Sequence, residues 1–313
     1  MGNKSAYKKI CEQNDSLPVF LQPWWLDAVC GSWDVAIAMK GEQVTGVWPY
    51  AIDKKAGVTI LRNPRLTPYL GPHVFYPHDV KESNADRFEH ETVSALISQL
   101  PDAKVWHLAI QPGMYQAGIF KNNKLATQAQ QTFLVDLSAN EDKLLADMKE
   151  SMRRNIRSAA KEVEITNEPA ELKTLFGFQK EILGKKGVMQ AYTMPQLQAA
   201  MDACLKHKSA ALWVARTAGT IQAIVWQVWD KDHSYYLMGG QNNEANSYKA
   251  MSALLWHTMK EAKARGNTIF DLEGSMDEGV ERFFRNFGGQ RTLYLVLQKN
   301  ESVVWKLKKM ALG

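Results

Sequence analysis

Two stretches of this chain read alike when one is laid over the other. Residues 33–39 and 44–52 are strand-like runs around the turn signal Lys40-Gly41-Glu42-Gln43. Residues 210–216 and 221–229 are strand-like runs around Thr217-Ala218-Gly219-Thr220. At one constant offset Gly41 meets Gly219, and Val47-Trp48 meets Val225-Trp226. A duplicated strand–turn–strand unit explains the match; so does the ordinary sharing of a glycine and apolar neighbours by any two hairpins. With 313 residues and about 150 residues per domain, the chain is long enough for two domains, expected at 1–137 and 138–313.

The remaining pattern repeats the scheme. In the first half Pro23-Trp24-Trp25-Leu26 opens a helix with proline in its first turn. A strand at 58–61, a helix at 85–99 and a strand at 105–110 follow. Between them Asn63-Pro64-Arg65-Leu66-Thr67-Pro68-Tyr69-Leu70-Gly71-Pro72 is too rich in proline for a regular ladder and reads as a loop able to line a cleft. In the second half come a strand at 234–238, a helix at 247–265, a strand at 268–272, a helix at 278–286 and a strand at 291–297. The alternation predicts a mixed α/β sheet, built twice.

Composition narrows the class without choosing a function. Hydrophobic residues make up 45% and charged residues 23%, which excludes global disorder. The net charge of +5 favours an anionic partner but does not by itself predict nucleic-acid binding. Cys11, Cys30 and Cys204 are far apart and fit reduced thiols in a cytoplasmic protein. No apolar leader and no membrane-spanning run is expected, and the scattered histidines predict neither a metal site nor a Ser-His triad.

The segment between the halves reads as one helix. Ser138-Ala139-Asn140-Glu141 fits a capping box, and Leu144, Leu145, Met148, Met152, Ile156 and Ala159 recur at helical spacing. Lys149, Arg153, Arg157 and Lys161, each four residues apart, form a cationic ridge beside that stripe, with Arg154 next to it. The ridge is either a solvated outer face or an anion grip, for which arginine's fork suits phosphate and carboxylate.

Residues Ser151-Met152-Arg153-Arg154-Asn155-Ile156-Arg157-Ser158-Ala159-Ala160-Lys161 resemble the R-R-N-I-R-x-A-x-K helix of the FemAB family. Those are the non-ribosomal aminoacyltransferases of peptidoglycan cross-bridges, a branch of the GNAT superfamily. Tyr248, Leu255-Trp256, Ala262, Gly266 and Phe270-Asp271-Leu272-Glu273-Gly274 are similar to the family's helix and following strand, and Phe283-Phe284-Arg285-Asn286-Phe287-Gly288 to its F-K-x-x-F-G. The resemblance implies tandem GNAT-like domains of α/β (α+β) class, each a mixed, mostly antiparallel sheet flanked by helices, with a substrate cleft at or near their junction. It implies transfer of an activated acyl or aminoacyl group to an acceptor amine. The donor is anionic, aminoacyl-tRNA or acyl-CoA, with no tightly bound cofactor. A lipid-linked, cell-envelope acceptor would add peripheral membrane contact. An acetyl-CoA-dependent N-acetyltransferase acting on a small amine or sugar, and a non-catalytic GNAT-fold binding protein, are the alternatives. The stretch Gly239-Gly240-Gln241-Asn242-Asn243-Glu244-Ala245-Asn246-Ser247 does not have the Q/R-x-x-G-x-G/A order of a CoA loop, which favours another donor, and Phe284 stands where the family has lysine.

Acyl transfer needs a group to deprotonate an ammonium whose pKa is about 10. Asp271 and Glu273, expected to alternate along one strand and share a face, are the candidate bases; the alternative for Asp271 is a cap on the strand end. Tyr248 is the third catalytic candidate, as a hydroxyl near a helix start, or else a ring packed under the loop. Arg153, Arg154, Arg157, Arg285, Tyr69 and Phe284 are the candidate substrate-binding residues.

Overall fold

The computed structural model describes residues 2–55, 57–78, 81–114, 116–242, 247–274 and 276–301. Two compact units account for them. The first comprises Met1–Gln130 together with Leu293–Gly313, and the second Gln131–Thr292. Along the chain run α1 (Lys4–Gln13), α2 (Pro23–Val29), β1 (Trp33–Lys40), β2 (Gln43–Lys55), β3 (Val58–Arg62), β4 (His73–Val74), α3 (Glu82–Ile97), β5 (Val105–Ala109), α4 (Ala117–Asn122) and β6 (Ala126–Asp136). Then follow α5 (Glu141–Asp147), α6 (Glu150–Ala159), β7 (Glu164–Asn167), α7 (Leu172–Lys185), α8 (Met194–Lys206), β8 (Ala210–Thr217), β9 (Thr220–Trp229) and β10 (His233–Gln241). The chain continues through α9 (Ser247–Arg265), β11 (Ile269–Asp271), α10 (Glu278–Arg285) and β12 (Gln290–Asn300).

In the first unit the sheet order is β1-β2-β3-β5-β12, with β4 against β2. Every pairing is antiparallel except β3 with β5. In the second unit the order is β6-β11-β10-β9-β8-β7, and only β10 with β11 is parallel. Each unit is therefore a mixed, mostly antiparallel sheet flanked by helices. A helical crossover is what a parallel pair requires: α3 lies between β3 and β5, and α9 between β10 and β11. The matched residues occupy equivalent places. Gly41 and Gly219 take positive φ of 62° and 79° in the two hairpin turns, a conformation open to glycine at little steric cost. Trp48 and Trp226 are fully buried.

The last strand of each sequence half pairs outside that half. From Gln131 on, β6 pairs with β11, and from Leu293 on, β12 pairs with β5. The two units divide at Gln130/Gln131, and the residues from Leu293 on group with the first unit, whose sheet β12 closes.

The expected single helix after Ser138 is two helices. Asn140, not Ser138, caps α5, accepting from the Lys143 N–H at 2.8 Å. Met148 and Lys149 are extended, and the Lys149 N–H donates to the Asn286 carbonyl at 3.0 Å. A tertiary partner takes the donor that a continuous helix would use internally, so the helix breaks without proline or glycine. Lys149 becomes the N-cap of α6 and Lys161 lies beyond its end. Only Arg153, Arg154 and Arg157 of the cationic series stand on the helix. Met152, Ile156 and Ala159 are buried, as the apolar spacing predicts, the first two in a core shared with α9 and α10.

Candidate active site

The second unit opens where β10 and β11 part. They pair from His233↔Ile269 to Tyr235↔Asp271 and no further. β10 runs on to Gln241 beside β9 alone, with a bulge between Tyr236 and Met238. Such an extra residue kinks a strand and re-aims its side chains. Across the notch, β11 gives way to Leu272-Glu273-Gly274. Glu273 takes φ 47°, and a Cβ on Gly274 would lie 2.1 Å from the Gln131 carbonyl oxygen. Only glycine lets this turn press against β6.

Asp271 builds that turn. It is 1% exposed. Its Oδ1 accepts from the Thr132 hydroxyl and, at 2.8 Å, from the Glu273 N–H. The Thr132 Oγ1 in turn accepts from the Gly274 N–H at 2.9 Å. Asp271 is thus committed to holding backbone. The expected alternation of Asp271 and Glu273 along one strand does not occur, because β11 ends at Asp271 and Glu273 is left-handed.

Glu273 has the opposite character. Its Oε1 is buried and has no hydrogen-bond partner. Burial first, and the Asp271 charge second, hold its carboxyl well above the usual carboxylate range. Tyr236 lies close enough that Glu273 adds to the upward shift that burial imposes on its phenol. The Tyr236 hydroxyl reaches back over Gly239, where a Cβ would come within 2.1 Å of it. Neither Tyr236 nor Thr132 stands out in the sequence: one is the second of two adjacent tyrosines inside a strand, the other comes from a strand near the middle of the chain.

A row of rings leads from the notch to the surface. Tyr236 meets Phe284 at 5.3 Å between centroids, Phe284 meets Phe283 at 5.9 Å, and Phe283 meets Tyr248 at 5.2 Å. Phe284 is 3% exposed and belongs to the core, which accounts for an aromatic ring at this position. Tyr248 is 44% exposed. Burial raises its pKa and the Arg282 charge opposes that shift. Of the stretch 239–247, expected to lack the order of a CoA loop, residues 243–246 lie outside the described residues.

The arginines differ from one another. Arg153 donates to the Ala146 carbonyl at 2.9 Å and pairs with Glu150. Arg154 and Arg157 are exposed and act on Glu150 only through their charge. Arg285 pairs with Glu281 at 3.8 Å on α10. Tyr69 lies in the first unit, nearly buried, with its ring 5.2 Å from Tyr294. Its loop is pinned by Asn63, which donates to the Pro68 and Ala109 carbonyls and accepts from the Ala109 N–H at 2.9 Å. In the first unit, then, the space past the parallel pair β3/β5 is occupied by the chain's own loop, whereas in the second β10 and β11 simply stop pairing after Tyr235↔Asp271.

Residues 146–285, which bracket the notch, match the family model described as an acetyltransferase (GNAT) domain. The second unit carries a GNAT domain. The crystal structure of FemX is similar over 94% of this chain and 96% of its own, with a TM-score of 0.66 and 13% identity. The C-terminal domain of a putative lysylphosphatidylglycerol synthetase from Agrobacterium fabrum matches over 92% of this chain and 89% of its own (TM-score 0.56, 15% identity). L-PGS from Bacillus licheniformis matches over 90% and 88% (TM-score 0.51, 15% identity). At these identities the likeness is one of fold alone. No curated protein sequence matches the chain. Among the described residues no helix is long and apolar enough to cross a membrane, and no cluster of three or more His, Cys, Asp or Glu is placed to hold a metal.

Proposed function

We propose that this chain is an acyl- or aminoacyltransferase that joins an activated acyl group to an acceptor amine in the notch between β10 and β11. The observation that carries the reading is the buried, unpartnered Oε1 of Glu273 beside Tyr236. A carboxylate whose pKa is raised by burial is a stronger base than an ordinary one and is suited to take a proton from an ammonium. The freed amine then attacks the acyl carbonyl, the new N–C bond forms, and the bond to the leaving oxygen or sulfur breaks, with the leaving group departing as alcohol or thiol. Asp271 acts as a positioning residue through the turn it holds. The Tyr236 hydroxyl is placed to steady the acyl carbonyl, and Tyr248 lines the outer end of the ring series. Arg154 and Arg157, with Arg153 behind them, attract the anionic part of the donor.

The halves 1–137 and 138–313 are read as two copies of one GNAT-like repeat, of which the second keeps the chemistry. The name of the putative lysylphosphatidylglycerol synthetase supports a cell-envelope, lipid-linked acceptor, and the resemblance of residues 151–161 to the FemAB helix supports an aminoacyl-tRNA donor in the cytoplasm. The GNAT family model favours a second reading, an acyl-CoA donor. Turnover with each donor separates them. An aminoacyl-tRNA user also loses affinity steeply as salt rises, because neutralised phosphates release counterions. Absence of turnover with both donors contradicts the proposal.

A further inference from the structure

Past Tyr235, β10 has β9 on one side and, among the described residues, no paired strand on the other. The register decides which backbone groups face that open edge. The Asn242 N–H donates to the Gln222 carbonyl at 3.0 Å, one residue beyond the pair Gln241↔Ala223. In an antiparallel ladder, directly bonded pairs alternate with pairs whose N–H and C=O point away from the neighbour. The bulge lies before Met238, so this alternation runs unbroken from Met238 to Asn242. Met238 and Gly240 therefore bond to β9, whereas Gly239 and Gln241 turn their N–H and C=O towards the notch.

The Gly239 carbonyl is already taken. α7 lies against this part of β10: a Cβ on Gly240 would come within 2.6 Å of the Phe178 Cβ, and the Gln179 side-chain amide donates to the Gly239 carbonyl. On the opposite face the Tyr236 hydroxyl lies 2.1 Å from where a Cβ on Gly239 would stand. The two glycines let both faces of the strand be covered closely, which leaves the edge as the approach. Gln179 thus reaches round from α7 to cap one acceptor of that edge.

We infer that Gln179 is a specificity-determining residue that selects against acyl donors carried on an extended, amide-bearing arm. This rests on the reading of the notch as the site of acyl transfer, and it chooses between the two donors of that reading. An unpaired strand edge is a template for any extended chain with amides. The arm of acyl-CoA is such a chain, neutral and with two secondary amides. To pair with β10 it would offer an N–H to the Gly239 carbonyl, where the Gln179 amide offers the same donor from a tether on α7. A tethered group competes at high effective concentration, and exchanging one amide for another brings no net hydrogen bond. An aminoacyl ester on a ribose reaches the notch without such an arm and loses nothing to the cap.

Calorimetric binding to the full chain tests this without needing turnover. The probes are CoA and adenosine 3′,5′-bisphosphate, which has the nucleotide of CoA but not its arm. The wild type is expected to bind the two equally, the arm adding nothing. Gln179→Met, similar in length but without a donor, and Gln179→Ala each uncap the carbonyl. Both should bind CoA about tenfold more tightly than the bisphosphate, the worth of one hydrogen bond, with bisphosphate binding as in the wild type. Melting curves identify a variant that fails to fold, and the other then carries the test. A wild type that already prefers CoA tenfold, or folded variants that gain no preference for it, overturn the assignment. Absence of turnover with both donors contradicts the proposed reaction, whereas the calorimetry bears on Gln179 alone, so the two failures are distinguishable.

Discussion

The Thr132 hydroxyl donates to the buried Asp271 carboxylate across 139 residues of sequence. The same oxygen of Thr132 receives the Gly274 N–H, and the same Asp271 oxygen receives the Glu273 N–H. One side chain from β6 and one from β11 therefore fix the turn that presents Glu273. Thr132→Val removes both bonds and leaves a buried carboxylate short of a donor. Loss of about 1–3 kcal/mol is expected, read as a lower denaturation midpoint in urea.

Asp271→Asn keeps an oxygen where Oδ1 accepts. Turnover close to wild type is expected, with a modest loss of stability, because on the proposed reading Asp271 positions rather than reacts. Asp271→Ala removes the acceptor and should cost substantially more stability than the Asn variant. A rate collapse in a well-folded Asn variant would instead mark Asp271 as the base.

The Glu273 carboxyl is raised in the folded state by burial and by Asp271. Its contribution to stability is therefore complete below its unfolded pKa, about 4.3, and is lost as pH rises through its folded value. Glu273→Gln is expected to be increasingly more stable than the wild type as pH rises over that window, and to change little relative to it at lower pH. Melting curves across a pH series check this. A constant difference at every pH contradicts the raised pKa.

Phe284→Lys restores the residue type of the F-K-x-x-F-G pattern but places an ammonium in a core position between Tyr236 and Phe283. Lysine is almost never fully buried without a partner, so a marked loss of stability and no gain in activity are expected. Arg154→Ala and Arg157→Ala, on exposed positions, should leave stability within about 0.5 kcal/mol while raising the KM for an anionic donor at low salt. Thermal melts and donor titrations at two ionic strengths separate the two effects.

Much of the fold is legible because it is local. The turn glycines Gly41 and Gly219, Pro23 at the head of α2 and the apolar spacing of α6 and α9 each act within a few residues, and the elements fall where these signals lie. Three features are not legible, and each depends on distant chain. The break at Met148-Lys149 is made by Asn286, the end of β11 is held by Thr132, and the pairing of β12 is with β5 rather than with its own half. The same distinction runs through the site. Asp271 and Glu273 form a visible pair in the sequence, but which carboxyl is committed to backbone and which is left unpartnered follows from Thr132. Tyr236 carries no local signal, since its importance comes from a bulge that only tertiary contacts create.

The pH dependence of kcat/KM for wild type and Glu273→Gln, with the same donor and amine, tests the central claim most directly. The account expects the wild-type rate to rise with pH through a carboxyl pKa above the ordinary range. In the Gln variant it expects donor binding to be retained, with the rate lowered by at least about 100-fold and that limb of the profile gone. A folded Glu273→Gln enzyme that turns over at the wild-type rate with the wild-type profile contradicts it.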